Sequence, residues 1–366
     1  MNITATQQFV NWKSVTAIIL LNFVVLVSWV VYHFFQPQLL AQFGFSDLGG
    51  FLNDAKNIIL VVIPPLAGLL ADFLQKRVGK GYLIFTVGVS ITAMVFMAAA
   101  YAFLPTAGKG LHEAIPGMMV VWLICMNIFY TPATAYIEKT ASTQNLPLVT
   151  ALVALTAELL MAVAPYTPQI MSQFNSSATF VGGGLLIALS GYFFYQANKD
   201  QGTTYLSENP AGSQFNNLLI VFAIGLFAGI AEYFVTNSVS DWLKVSLGSY
   251  AKHTVSIILA MAGLLALPAG KFVQNKDLRK TMVYGFCAVF SVLGIIYLLA
   301  TQQILTANTF GLGILLCFLL ALSASFVIVT AFPVALWHSY GKQENLGIGI
   351  FWAGVGFYDM FIGFIS

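Results

Sequence analysis

Apolar residues form eleven runs along the chain, each about 20 residues long and separated by short polar segments. A helix of about 20 apolar residues crosses the ~30 Å hydrocarbon core of a bilayer. The pattern therefore predicts an all-α membrane protein with eleven visible transmembrane helices. The predicted spans are 14–36, 49–72, 82–104, 116–138, 147–169, 178–197, 216–239, 253–273, 281–300, 309–337 and 346–366.

The composition agrees with a membrane protein. Hydrophobic residues make up 59% of the chain and charged residues 8%, whereas charged residues are about 25% of soluble domains. The three cysteines, Cys125, Cys287 and Cys317, lie inside apolar runs and lack metal-ligand spacing. No basic cluster with interleaved aromatic residues is present. We therefore expect no metal, no cofactor and no nucleic-acid partner.

The basic residues are distributed unevenly between the two sides of the membrane. Eleven of the 15 lie in segments on the side of the N-terminus, and four lie on the other side: Lys56, Lys109, Lys244 and Lys252. The positive-inside rule then predicts a cytoplasmic N-terminus. The first run is too long for a signal-peptide core, so we expect a retained first span in the inner membrane of a bacterium.

Corresponding residues recur about 200 positions apart. Glu158 and Asp359 are 201 positions apart, and so are Pro132 and Pro333. The polar segment 198–215 reads as a cytoplasmic linker, which divides the chain into a six-helix bundle at 1–197 and a second bundle at 216–366. A shift of six spans keeps the orientation of each helix, so the halves are predicted to be parallel.

The repeat also predicts a twelfth helix. Span 6 should have a partner near 379–398, which lies beyond Ser366. We therefore expect that the twelfth helix is missing from this sequence or truncated.

The end of span 2 carries the sequence GLLADFLQKRVGK, which contains Gly68, Asp72, Arg77, Gly79 and Lys80. It resembles the signature of the major facilitator superfamily (MFS) between spans 2 and 3. Gly270 begins a degraded copy at the end of span 8. The resemblance implies two pseudo-symmetric bundles that move a solute by alternating access, with these six residues in gating.

The resemblance also implies a partner for Asp72. In this family the aspartate meets the start of span 11, here near Leu346 and Gly347, and holds the inner gate shut in the outward-open state. A carboxylate is favoured at a helix N-terminus. Span 4 contains no arginine, a departure that speaks against multidrug export.

Four ionisable residues inside the spans are candidates for proton coupling: Glu232, His33, Glu158 and Asp359. Such residues are costly in the membrane and usually functional. Glu232 in span 7 is the strongest candidate, with His33 as its partner or as a hydrogen-bonding core residue. Glu158 and Asp359 either bind a cation or a proton or form bonds between helices.

The resemblance implies that spans 1, 4, 7 and 10 line the solute cavity, and polar residues in spans 1, 4 and 7 are the candidates for it. Span 7 has Glu232, Thr236 and Ser240 on one helical face. The candidates for the cavity are Ser28, Trp29, Tyr32, Gln36, Asn127, Tyr130, Tyr233, Thr236 and Asn237. The alternative is that these groups bond between helices as packing contacts.

The sequence therefore predicts a secondary transporter for a small solute, with protons, the solute and the lipid bilayer as partners and a monomeric state. The absence of Lys and Arg deep in spans 1, 4, 7 and 10 favours a neutral solute such as a sugar or nucleoside. Lys56 is placed at the membrane interface, with partners in span 1 or 11 possible. The alternatives are an exporter of drugs or metabolites and a non-transporting sensor. No hydrolase or phosphate-binding motif suggests an enzyme.

Overall fold

The computed structural model describes residues 9–78, 82–104, 106–199, 214–339 and 343–365. Within these ranges, eleven helices are long and apolar enough to cross a membrane. This confirms the predicted number of spans. The helices are α1 (Trp12–Gln42), α2 (Gly49–Val78), α3 (Tyr82–Ala102), α4 (Ile115–Ala135), α5 (Leu146–Val163), α6 (Ser176–Asn198), α7 (Gln214–Asn237), α8 (Thr254–Val273), α9 (Leu278–Thr301), α10 (Phe310–Ser339) and α11 (Glu344–Ile365).

Two helices extend well beyond their predicted spans. α1 continues past residue 36 to Gln42 and α2 continues past residue 72 to Val78. Hydropathy identifies only the part of a helix that can lie in lipid. Backbone hydrogen bonds extend the helix beyond that part into polar sequence. Pro37 and the pair Pro64–Pro65 lie inside these helices without ending them.

The helices pack into two compact units. The first contains the described residues of Met1–Ile19, Tyr136–Ala162 and Ala231–Trp337. The second contains the described residues of Leu20–Ala135, Val163–Ile230 and His338–Ser366. The two units reflect packing in space, whereas the predicted division at the linker 198–215 is one of sequence and stays a prediction. Residues 200–213 of that linker lie outside the described residues.

Small side chains form the core of the first unit. Ala151 of α5, Ala266 and Ala269 of α8, and Val329 of α10 are buried together with Val273. Since lipid offers no hydrophobic incentive for helices to associate, close approach over small residues provides the packing energy.

Glycines line the face of α11 that packs on α2 in the second unit. Gly349, Gly356 and Gly363 are spaced by seven residues and so share one face of the helix. A Cβ atom at Gly349 would collide with the carbonyl of Pro64. A Cβ at Gly356 would lie 3.4 Å from Cβ of Leu60.

A second glycine pair brings α7 against α11. Gly225 and Gly229 are four residues apart. Their missing side chains leave room for the backbone of Phe351 and Val355. This G-x-x-x-G arrangement is common where transmembrane helices pack closely. The second unit therefore holds α11 against two helices through backbone-to-backbone contact.

Candidate functional site

Asp72 at the end of α2 binds the first turn of α11. Its Oδ1 accepts hydrogen bonds from the backbone N–H of Asn345 at 3.2 Å and from Nδ2 of the same residue at 2.8 Å. Its Oδ2 accepts from the N–H of Leu346 at 3.0 Å. First-turn N–H groups have no acceptor within their own helix, so a carboxylate satisfies them. We name this contact the carboxylate clasp.

Gly68 allows the carboxylate clasp to close. It lies one helical turn before Asp72, and the carbonyl of Asn345 occupies the space that a Cβ atom would need. The contact of Asp72 with the start of α11 is the predicted one, and its role in gating stays a prediction. Of the other predicted gating residues, Arg77 lies over the ring of Phe73 at 4.8 Å, whereas Gly79 and Lys80 lie outside the described residues.

Gln274 at the end of α8 makes an analogous contact with the residues that precede α5. Its Nε2 donates to Oδ1 of Asn145 at 3.1 Å, and Nε2 of Gln144 donates to Oδ1 of Asn275 at 2.7 Å. A Cβ atom at Gly270 would lie 2.9 Å from the carbonyl oxygen of Pro147. We name this contact the amide clasp.

Sequence reasoning missed the amide clasp, although the signal was present. Gly270 and Gln274 correspond to Gly68 and Asp72 at an offset of 202, and Asn145 corresponds to Asn345 at an offset of 200. The motif and its target therefore recur together.

Two of the acidic candidates, Glu158 and Glu232, lie within electrostatic range of each other in the first unit. Glu158 is half-buried on the face of α5 that packs on α8, where a Cβ atom at Gly263 would lie 2.8 Å from its Cβ. Glu232 on α7 is exposed. His33 lies in the other unit, so its proposed partnership with Glu232 stays a prediction.

The polar groups near the end of α7 bond largely among themselves. Oγ1 of Thr236 donates to the carbonyl of Glu232 at 2.9 Å, and Nδ2 of Asn237 donates to the carbonyl of Tyr233 at 3.0 Å. α7 ends at Asn237, and a separate short helix, Val239–Trp242, follows.

This break corrects the predicted stripe on span 7. Ser240 does not continue the line of Glu232 and Thr236, because the new helix turns it toward another segment. Its Oγ donates to the carbonyl of Ala251 at 2.8 Å.

Two residues of the predicted stripe on α1 are buried inside the second unit. Ser28 is 2% exposed and donates to the carbonyl of Val24 at 2.8 Å. Tyr32 is 3% exposed, and its ring stacks on that of Trp122 with centroids 4.6 Å apart. Both side chains are buried in this structure, and their place in a solute cavity stays a prediction.

The remaining candidates on α1 are more accessible. His33 is exposed, Trp29 and Gln36 are half-buried, and the rings of Trp29 and His33 stack with centroids 5.9 Å apart. Gln36 also borders a cavity of about 10 Å³, which has room for about one water molecule. That cavity is too small for an organic solute.

The candidates on α4 connect neighbouring helices. Tyr130 donates from its hydroxyl to Oδ1 of Asn22 on α1 at 2.8 Å. Its ring lies 5.7 Å from that of Trp352 on α11. Asn127 is buried and donates to the carbonyl of Leu123 at 2.8 Å. α4 is therefore fixed to α1 by a hydrogen bond that sequence reasoning did not foresee.

Asp359 and Lys56 come together across α11 and α2. The two charges lie within electrostatic range, and His33 of α1 lies within range of Lys56. The partners in span 1 or 11 that the sequence left open for Lys56, beside an interfacial location, stay a prediction.

Comparison with known proteins identifies the fold. No family description matches the chain, and no curated protein matches it. The human organic anion transporter MFSD10 (TETRAN) is 15% identical, with a TM-score of 0.62, over 94% of this chain and 91% of that one. The proton:xylose symporter XylE is 14% identical, with a TM-score of 0.59, over 97% of this chain and 88% of that one. The E. coli fucose:proton symporter FucP is 12% identical, with a TM-score of 0.59, over 96% of this chain and 91% of that one.

These likenesses establish the fold predicted from the sequence. The chain has the fold of the major facilitator superfamily. With eleven apolar helices among its described residues, it is an integral, multi-pass membrane protein.

Proposed function

We propose that this chain is a secondary active transporter that moves a small polar solute by alternating access, coupled to protons. The observation that carries the proposal is the carboxylate clasp between α2 and α11, on an MFS fold shared with two structures named as proton symporters. The predicted halves 1–197 and 216–366 each contribute one helix to this clasp.

The carboxylate clasp has the strength that a reversible gate requires. A hydrogen bond to a charged group contributes about 1.5–3 kcal/mol, so three such bonds hold a conformation without making it permanent. In the predicted orientation the clasp lies on the cytoplasmic side. Its opening would admit solute or release it there.

Glu158 and Glu232 are the proposed proton carriers. Two carboxylates within electrostatic range repel each other, and a proton on either one relieves the repulsion. Glu232 lies in the accessible position and would exchange the proton with the pathway, while Glu158 on α5 would sense its charge. Transport cycles that bind and release one proton fit this pair.

Uptake into proteoliposomes tests the proposal. Radiolabelled sugars, nucleosides and organic acids would be presented with and without an imposed pH gradient. We expect Glu232→Gln to abolish gradient-driven accumulation while exchange of the same solute across the membrane persists. Glu113→Gln, which neutralises an exposed carboxylate outside the long helices, is the matched control and should accumulate solute like the wild type.

The outcomes separate the alternatives. Gradient-driven accumulation by Glu232→Gln equal to that of the wild type would remove Glu232 from the mechanism. Binding of a solute without any accumulation would reject transport in favour of a sensor. Accumulation only when the gradient is reversed would indicate an exporter.

A further inference from the structure

The packing of α11 on α2 brings Asp359 to the seam between the two helices. Asp359 lies three residues after Gly356 and four before Gly363, so it shares their helical face. A Cβ atom at Gly363 would lie 2.8 Å from Nδ2 of Asn57. Lys56 is the neighbour of Asn57 and lies one turn before Leu60 on α2, which faces Gly356. The register alone therefore places Asp359 near Lys56.

The three ionisable groups lie within nine residues of helix ends that fall on the same predicted side of the membrane. Lys56 is seven residues from the start of α2, Asp359 is six from the end of α11, and His33 is nine from the end of α1. At 1.5 Å per residue the three groups are roughly 9–14 Å from their helix ends. The antiparallel contact of α2 and α11 puts these ends on the same side.

All three side chains have accessible surface. Asp359 and His33 are exposed, and Lys56 is half-buried. Ionisable side chains at this depth face a polar interior or an aqueous cavity, not acyl chains. We therefore expect that a polar solute can reach the three groups.

The balance of charge favours an anionic group. Lys56 and His33 offer two nitrogen donors, and Asp359 offers one carboxylate. Electrostatic range links Lys56 to both of the others. The carboxylate of a solute could accept hydrogen bonds from the nitrogen donors that Asp359 does not use. A solute with two negative charges would carry more charge than the single permanent positive charge of Lys56 can neutralise.

We propose that Lys56 and His33 bind the carboxylate of a monoanionic solute, with Asp359 as the counter-ion of Lys56 when no solute is bound. This inference rests on the proposed transport function and names its substrate class. The expectation of a neutral solute considered spans 1, 4, 7 and 10, whereas Lys56 belongs to α2.

Thermal unfolding of the purified protein in detergent provides the test. The probes are matched pairs of an acid and its amide: lactate and lactamide, benzoate and benzamide, nicotinate and nicotinamide. We expect at least one acid to raise the melting temperature while its amide does not. Lys56→Gln should weaken the apparent affinity for that acid by about tenfold or more.

Two variants sharpen the expectation and one serves as control. Lys56→Arg keeps the positive charge and should keep affinity within a few-fold of the wild type. Asp359→Asn removes the competing carboxylate and should tighten binding of the acid by several-fold. Lys109→Gln removes a solvated lysine, 92% exposed, and should leave affinity unchanged.

The remaining outcomes overturn the proposal. These are equal stabilisation by acid and amide, no stabilisation by any acid, or undiminished affinity in Lys56→Gln. Should Lys56→Gln not fold, the double variant Lys56→Gln/Asp359→Asn leaves no unpaired charge and tests the same loss.

Uptake distinguishes failure of this inference from failure of transport. Accumulation of an uncharged solute would keep the transport function and overturn the carboxylate site. Binding of an acid through Lys56, without uptake of that labelled acid, would keep the site and overturn transport.

Discussion

The two clasps use the same framework with different chemistry. At the end of α2, Gly68 is followed four residues later by Asp72; at the end of α8, Gly270 is followed four residues later by Gln274. Both glycines let a neighbouring backbone approach closely. The position of the contact is therefore set by the glycine, and its strength is set by the residue one turn later.

The helix that receives the contact explains the difference. The first turn of α11 offers Asp72 the N–H groups of Asn345 and Leu346. At the start of α5, the N–H of Leu146 is already donated to the carbonyl of Ser142, and Pro147 has no N–H. A carboxylate at position 274 would lack backbone donors, so an amide that pairs with the side chain of Asn145 is the better match.

The largest effect is expected from adding a methyl group at Gly68 or Gly270, where a neighbouring backbone lies close. Gly68→Ala should destabilise the protein by about 1–3 kcal/mol, because overpacking forces the backbones apart. Gly270→Ala should cost less, since only part of its surroundings is backbone. Melting temperatures in detergent measure both. Gly294→Ala on α9 is the control, because the space around Gly294 is open, and it should leave stability unchanged or raise it. Equal losses of stability in Gly68→Ala and Gly294→Ala would contradict the close contact at Gly68.

Asp72→Asn should reduce stability by about 1–2 kcal/mol, since a neutral amide replaces charge-assisted hydrogen bonds. In the predicted orientation it should also favour inward-open conformations. Labelling of cysteines introduced on both faces measures that shift. Asp47→Asn, which neutralises an exposed carboxylate, is the control. Unchanged labelling on both faces would reject the gate.

The amide clasp should contribute about 0.5–1.5 kcal/mol, the usual range for a neutral hydrogen bond. A double-mutant cycle of Gln274→Ala and Asn145→Ala, followed by thermal unfolding, isolates the coupling between the two side chains. Strict additivity of the two changes would show that the contact carries no stability.

The smallest effect is expected from placing a carboxylate at position 274 of the amide clasp, as Asp72 provides in the carboxylate clasp. Gln274→Glu should destabilise by about 0.5 kcal/mol, because the added carboxylate finds no free backbone donor. In a Pro147→Ala background, which supplies an N–H, the same change should cost less. Stabilisation by Gln274→Glu alone would contradict the explanation from donor supply.

The fold was largely predictable from the sequence, and so was one contact. Runs of apolar residues determine the spans because lipid requires every backbone group to be satisfied within the helix. The partner of Asp72 followed from the family resemblance. The paired glycines Gly225 and Gly229 predict close approach, but a glycine has no side chain that would identify the helix it meets.

The side-chain environment of the site was harder to predict. Ser28 is buried and bonds to its own helix, since a hydroxyl can reach the carbonyl four residues earlier. A polar residue in an apolar span is therefore compatible with a cavity and with a packed interior. The proximity of Lys56 and Asp359 depends on the register of two helices that are about 300 residues apart in the chain, and local spacing carries no information on that register.

The glycine strip Gly349–Gly356–Gly363 has a mechanical consequence. The three glycines place no side chain of their own between α11 and α2, so a shift of one helix along the other would require few rotamer changes at these positions. Resistance to such a shift would then come mainly from Asp72, which binds the first turn of α11, and from Asp359, which lies between Gly356 and Gly363. The glycines would permit movement between the two helices, and the charged groups would restrain it.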